Sequence, residues 1–191
     1  RILTLITVIL WFVIYWRAGR GLVMDIKKDL QTQKQYHDRP LVILISFFSS
    51  LVWLSGLLIL RQRIYWEDTA LTTALAVPGF LLTLIGTIGV SLTRYQLGKY
   101  WSAAARLQPD HTVVEIGAYR VVRHPLYAFT LLQSLGTCLA FPTWWNALLT
   151  MLVIACFVLK TSGEERFVLS ALGGYKEYAG RVKYLLFPGL W

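Results

Sequence analysis

An uninterrupted apolar run at residues 41–60 constrains this chain more than any other part of its sequence. The twenty residues of the run include no Asp, Glu, Lys or Arg. At about 1.5 Å of rise per residue, a helix of this length spans the ~30 Å hydrocarbon core of a bilayer. The run therefore predicts a membrane-spanning helix.

The composition indicates that lipid surrounds much of the remaining chain. Of the 191 residues, 56% are hydrophobic, which is more than a soluble domain of this size could bury. Charged residues make up only 15%, and the eight tryptophans and ten tyrosines suit the aromatic belts at the ends of membrane helices. We therefore predict an all-α, polytopic membrane protein.

Four further apolar runs bring the predicted number of transmembrane helices to about five. They lie at residues 2–16, 71–93, 126–141 and 144–159. We expect the first to be an anchoring helix, because it has no small-residue cleavage pattern of a signal peptide at its end. The third run in the chain, 71–93, contains several small residues that would let a neighbouring helix approach closely.

The last two runs predict a C-terminal helical hairpin. Only Pro142 and Thr143 separate them, which leaves room for a tight break between two antiparallel helices. The second arm is expected to continue beyond its apolar part to Leu172, because apolar residues still recur there at helical spacing. Gly173 and Gly174 would end that helix.

The basic residues predict the orientation of the protein in the membrane. Sixteen of the nineteen Lys and Arg residues lie in residues 17–39, 94–123 and 160–183. By the positive-inside rule, these three segments and the C-terminal part of the chain face the cytoplasm. Because topology accounts for the net charge of +9, nucleic acid is not an expected partner.

The histidines and cysteines give no support for a metal site. The three histidines are dispersed along the chain, without carboxylate or thiolate companions at metal-ligand spacing. Cys138 and Cys156 both lie within apolar runs, where packing between helices is the expected role.

Two polar segments flank the predicted hairpin, at residues 111–127 and 160–178. Because antiparallel helices return the chain to the side from which it started, these segments can meet at the cytoplasmic mouth of the hairpin. Ionisable groups beside a bilayer are costly unless they are paired or functional. We therefore predict that Arg123 and His124 face Lys160, Glu164 and Glu165.

These segments resemble the isoprenylcysteine carboxyl methyltransferase family of integral-membrane enzymes. The resemblance covers about the last hundred residues. It rests on an ordered set of motifs: His111-Thr112-Val113-Val114, Gly117-x-Tyr119, Arg123-His124-Pro125-x-Tyr127, Glu164-Glu165, Gly173-x-Tyr175-x-x-Tyr178 and Phe187-Pro188. It divides the chain into an N-terminal membrane region, residues 1–93 with three helices and a cytosolic loop, and a catalytic core, residues 94–191.

The resemblance implies that S-adenosylmethionine binds on the cytosolic side, between the two polar segments. By the resemblance, the stretch that lines the cofactor is His111, Thr112, Val113 and Val114. The contacts to the adenosine and amino-acid parts of the donor are Tyr119, His124, Pro125, Leu126 and Tyr127. Glu164 is the acid that holds a polar part of the donor. Lys160 takes the place where better-known members carry an arginine that contacts the methyl acceptor.

The chemistry of the donor agrees with these roles. It carries a carboxylate, an ammonium and a sulfonium group, so its site needs both a cation and an acid, which Arg123, His124 and Glu164 would supply. Methyl transfer requires alignment and desolvation above all. A carboxylate acceptor needs no general base, and Lys160 would orient it. An amine acceptor must lose a proton, and Glu165 would be the nearest base.

We therefore predict a methyltransferase that acts on a lipophilic or lipidated acceptor, in particular a carboxylate such as that of a prenylcysteine. Lysine in place of arginine at position 160 leaves the acceptor open, because a point charge replaces a planar fork. The alternatives are a lipid-amine N-methyltransferase, a membrane reductase related to the sterol reductases, and a scaffold or transporter without enzymatic activity.

Overall fold

The computed structural model describes residues 6, 34–35, 38–59, 70–102, 104–108 and 110–191. The helix predicted at residues 2–16 lies outside this part of the chain except for Ile6, so it stays a prediction. The other predicted helices lie within a few residues of their expected bounds. We label the helices α1 (Arg39–Ile59), α2 (Ala70–Leu97), α3 (Pro125–Ala140), α4 (Trp144–Ala171) and α5 (Tyr175–Arg181).

Two helices of the described segments are long and apolar enough to cross a membrane. They span Ala74–Tyr100, which joins most of α2 to a following 3₁₀ turn, and Trp144–Ala171. The apolar part of α1 is shorter, Arg39–Val52. Val77, Leu81 and Ile85 of α2 recur at one-turn spacing and are exposed, as expected for a face that contacts lipid. The chain is thus mostly helical and suited to a membrane, while the count of five spans stays a prediction.

Small residues allow α2 and α3 to pack at close range, as the sequence predicted. A Cβ atom built on Gly86 would lie 2.7 Å from the backbone nitrogen of Gln133, so no larger residue fits without a shift of the helices. The side chain of Gln133 is buried, and its amide donates a hydrogen bond of 2.9 Å to the hydroxyl of Thr87. Such bonds between helices satisfy polar groups that lipid cannot.

Helices α3 and α4 follow one another across a break at residues 141–143, as the predicted hairpin requires, while its passage through a membrane stays a prediction. The Thr143 hydroxyl accepts a hydrogen bond of 3.1 Å from the backbone N–H of Asn146, which caps the start of α4. The second arm continues to Ala171, and Gly174 adopts a left-handed conformation (φ 78°) between α4 and α5. Although the two arms form a hairpin in sequence, α3 packs mainly on α2 and α4 mainly on α1.

A short antiparallel sheet lies beside the start of α1. Strand β1 (Lys34–Gln35) pairs with β2 (Arg106–Leu107), with Lys34 opposite Leu107. This pairing brings the segment that precedes α1 next to the loop that leads into residues 111–114. The first helix described is thereby connected to the C-terminal half of the chain.

Candidate active site

The hairpin brings the two predicted polar motifs into direct contact. His124 precedes the first turn of α3, while Glu165 lies near the end of α4. The His124 Nε2 atom is 2.8 Å from one oxygen of Glu165, and a guanidinium nitrogen of Arg123 is 3.2 Å from the other. The Tyr127 hydroxyl donates a hydrogen bond to Glu164. Arg123 and His124 were expected to face Lys160, Glu164 and Glu165; their described contacts are with Glu165, whereas Glu164 contacts Tyr127 and Lys160.

The C-terminal segment fixes the backbone of the same motif. The backbone N–H groups of Arg123 and His124 donate hydrogen bonds of 2.9 and 2.8 Å to the carbonyls of Tyr184 and Leu185. Because Pro125 has no N–H to donate and its ring favours the first turn of a helix, α3 begins directly after these bonds. The position of the Arg123 and His124 side chains is therefore set by both the backbone and Glu165.

Two tyrosines of α5 complete this support. The Tyr175 hydroxyl donates a hydrogen bond of 2.9 Å to Glu165, and the Tyr178 hydroxyl donates one of 2.7 Å to the carbonyl of Tyr119. Burial, followed by the nearby Glu165 carboxylate, raises the pKa of Tyr175 above its ordinary value. Both phenols thus remain neutral donors at physiological pH.

A cavity of about 300 Å³ opens beside these contacts. Eleven of the thirteen predicted site residues line it: His111, Thr112, Val113, Val114, Tyr119, Arg123, His124, Leu126, Tyr127, Lys160 and Glu164. Pro125 and Glu165 are not among the described residues of its wall. Glu165 contacts Arg123 and His124, and these two residues line the cavity.

The wall of the cavity contains both polar and apolar side chains. The two motifs contribute charged groups such as Arg123 and Glu164, and α1, α2 and α4 contribute apolar side chains, among them Val42, Val90 and Phe157. Residues from both sides of position 93 thus contribute to one wall. The division into regions 1–93 and 94–191 stays a prediction.

Two residues that line the cavity carry a buried polar atom without a hydrogen-bond partner. The Nδ1 atom of His111 and the Nε atom of Arg123 are buried and have no hydrogen-bond partner. The His111 ring stacks on Tyr100 with 4.4 Å between ring centres, and burial lowers the pKa of its imidazole. A neutral imidazole and a guanidinium N–H, with the Glu164 carboxylate nearby in the same wall, suit a ligand that carries both negative and positive groups.

Lys160 is more deeply buried and more completely paired than the sequence suggested. Its side chain is 3% exposed and donates a hydrogen bond to Asp38, whose side chain is fully buried. The ammonium also lies 3.5 Å from Glu164, one helical turn further along α4. Sequence reasoning missed Asp38, because a lone acid directly before an apolar run resembles an ordinary solvated helix flank.

Sequence reasoning also missed the cations contributed by α2 and by the strand that follows it. Arg94 lies 3.6 Å above the ring of Trp101, and both residues line the cavity together with Arg106. Each had been counted only as a charge that sets the orientation in the membrane. In the described part of the chain, no three His, Cys, Asp or Glu side chains cluster as metal ligands would.

Comparisons with known proteins agree with the resemblance in the motifs. The model of the isoprenylcysteine carboxyl methyltransferase family matches residues 79–170. This range contains α3, most of α4 and the sequence between α2 and the hairpin. It therefore includes the predicted cofactor segment and both members of the Glu164-Glu165 pair.

Curated relatives come from bacteria and plants. The cobalt-zinc-cadmium resistance protein CzcN of Cupriavidus metallidurans is 35% identical over 114 residues, which are 58% of this chain and 50% of that protein. A probable protein-S-isoprenylcysteine O-methyltransferase of Oryza sativa is 28% identical over 108 residues, which are 54% of this chain and 56% of that protein. Protein-S-isoprenylcysteine O-methyltransferase B of Arabidopsis thaliana is 26% identical over 156 residues, or 81% and 74%. The chain thus spans about half the length of the Cupriavidus and Oryza proteins.

Proposed function

We propose that this chain is an integral-membrane methyltransferase of the isoprenylcysteine carboxyl methyltransferase family, whose model matches residues 79–170. Its donor is S-adenosylmethionine. Its acceptor is the carboxylate of a lipophilic molecule, such as a prenylcysteine. The charged residues of the cavity wall lie on the cytoplasmic side of the membrane, where the donor is available.

One observation supports this proposal above all others. A single cavity has in its wall both charged side chains from the two motifs that flank the hairpin and apolar side chains of α1, α2 and α4. A polar methyl donor and a lipid-modified acceptor together require both kinds of side chain. A reductase site would also need to hold a nicotinamide cofactor, and a scaffold has no need for the buried ionic contacts of Arg123 and His124.

The donor side of the site is explained by the charges of the wall. When bound, S-adenosylmethionine supplies a methyl group on a positively charged sulfur. Arg123 would bind its carboxylate, and Glu164 its ammonium group. The backbone of residues 111–114 and the ring of Tyr119 would hold the adenosine. These residues fit the donor, because the wall offers the buried Arg123 Nε and His111 Nδ1 atoms as unpaired polar groups.

Glu165 serves this site by positioning other residues. Its carboxylate already accepts hydrogen bonds from His124 and Tyr175 and pairs with Arg123. A carboxylate acceptor needs no base, so this acid is not required to take a proton. The role of Glu165 as a base would apply only to an amine acceptor.

The acceptor side of the site excludes water and aligns the reacting group. Apolar side chains such as Ile45 and Phe157 would surround the lipid part of the acceptor and remove water from it. Lys160 would attract its carboxylate. Because displacement at a methyl group depends on alignment and desolvation, a fixed and dry site accounts for most of the rate enhancement such an enzyme needs.

Calorimetric binding of S-adenosylhomocysteine to the detergent-purified protein tests this proposal. We expect saturable binding, and we expect it to weaken about tenfold or more in Glu164→Ala, because a charge-assisted hydrogen bond is lost. Glu177→Gln is the matched control, since it removes one exposed carboxylate of α5 away from the cavity wall. Binding of a nicotinamide dinucleotide with no binding of S-adenosylhomocysteine would contradict the proposal and favour the reductase alternative.

A further inference from the structure

The buried ion pair between Asp38 and Lys160 ties a carboxylate directly before α1 to a charged residue of the cavity wall. The two residues are 122 positions apart in sequence. Lys160 lines the cavity, whereas Asp38 is absent from its described wall and lies behind the lysine. Asp38 can therefore influence a ligand only through Lys160 or through the loop that it contacts.

The position of Asp38 is fixed independently of Lys160. The backbone N–H of Ala105 donates to both of its carboxylate oxygens, at 3.2 and 3.3 Å. Strand β2 begins at the next residue, Arg106, and pairs with β1 just upstream of Asp38. The Asp38 carboxylate is thus held between two chain segments, and its position does not depend on the bond to Lys160.

The charge of Lys160 is divided between two acids. Its ammonium contacts Asp38 and lies 3.5 Å from Glu164, with the Tyr127 ring centre 5.6 Å away. A buried cation with two carboxylates nearby attracts an anion only weakly, because the carboxylates repel the anion that the cation attracts. The nearby Arg123 is similarly paired, with Glu165.

We propose that Asp38 is a positioning residue that acts through Lys160 and limits the affinity of the site for an anionic acceptor. It holds the ammonium at one place in the wall and cancels part of its charge. An acceptor carboxylate must therefore share Lys160 with Asp38. This inference rests on the proposed function, because it concerns the carboxylate acceptor of that reaction.

The test compares two acceptor analogues that differ only in charge. The probes are S-farnesyl-N-acetylcysteine, which has a free carboxylate, and its carboxamide, each titrated by calorimetry in the presence of S-adenosylhomocysteine. The measured quantity is the preference of the protein for carboxylate over carboxamide. In Asp38→Asn, an amide oxygen can still accept from Ala105, while the negative charge behind Lys160 is lost. We expect the preference for the carboxylate to rise about tenfold.

A second variant tests whether the effect of Asp38 runs through Lys160. In the double variant Asp38→Asn/Lys160→Met both charges are removed, and the preference for the carboxylate is expected to fall to the value of the parent protein or below it. Glu177→Gln, which neutralises an exposed acid, is expected to leave the preference unchanged. A purely structural role of Asp38 predicts that both analogues lose affinity equally.

The outcomes separate the inference from the proposed function. A parent protein that binds S-adenosylhomocysteine and the carboxylate analogue, but whose preference is the same in Asp38→Asn, refutes the role of Asp38 alone. If Asp38→Asn does not bind S-adenosylhomocysteine, the double variant decides, and a preference above that of the parent refutes the role. A parent protein that binds neither ligand refutes the proposed function itself.

Discussion

Replacement of Glu165 by alanine is the change that most directly tests how the site is held together. This side chain is 9% exposed and is contacted by Arg123, His124 and Tyr175. Removal of one partner from a buried ion pair costs about 3–5 kcal/mol, because the remaining charge is left without compensation. For a chain of roughly this size, 1 kcal/mol corresponds to about 2–4 °C in melting temperature. The expected decrease is therefore about 6–20 °C.

The assay is thermal unfolding of the detergent-purified protein, followed by calorimetry with S-adenosylhomocysteine below the transition. Glu165→Gln keeps an oxygen that accepts hydrogen bonds, so we expect it to lose about half as much stability as alanine does. The exposed Glu177→Gln should melt like the parent. An alanine variant that melts within a degree or so of the parent and binds with unchanged affinity would refute the positioning role of Glu165.

Two further predictions concern packing and pH. Gly86→Ala would place a Cβ atom 2.7 Å from the Gln133 backbone, so we expect a loss of about 1–3 kcal/mol in the free energy of unfolding. The control is Gly180→Ala, whose Cβ atom meets no other atom within 4 Å, so the free energy of unfolding should change little. Burial lowers the pKa of His111, so the unfolded chain binds more protons than the folded one once the pH falls below the ordinary value of about 6.5. The melting temperature should therefore decrease between pH 7 and pH 5, and less steeply in His111→Phe; equal slopes would contradict this assignment.

Much of the fold follows from local sequence patterns. The bounds of α1 to α4 are set by apolar runs and by breaks such as Pro142-Thr143 and Gly173-Gly174, all of which act within a few residues. The close approach of α2 and α3 was expected from glycines alone. The meeting of the two motifs at one end of the hairpin followed from its antiparallel path.

The separate positions of Glu164 and Glu165, and the partner of Lys160, were harder to predict from the sequence. Glu164 and Glu165 are neighbours in α4, and successive helical residues point in different directions, so only one of them lines the cavity. Which one depends on how α4 is rotated about its own axis, and packing on α1 determines that rotation. The pairing of Lys160 with Asp38 depends on contacts over 122 residues, which no local pattern encodes.

The hydrogen bonds that the backbone N–H groups of Arg123 and His124 donate to the carbonyls of Tyr184 and Leu185 also bear on the order in which the protein is made. About sixty residues of chain separate the two members of each bond, and α3, α4 and α5 are synthesised between them. Helices α3 and α4 leave the ribosome before this C-terminal segment does. Until the segment arrives, the backbone before α3 has no partner for two of its N–H groups, so the candidate site is completed only after the helices that carry it have been made.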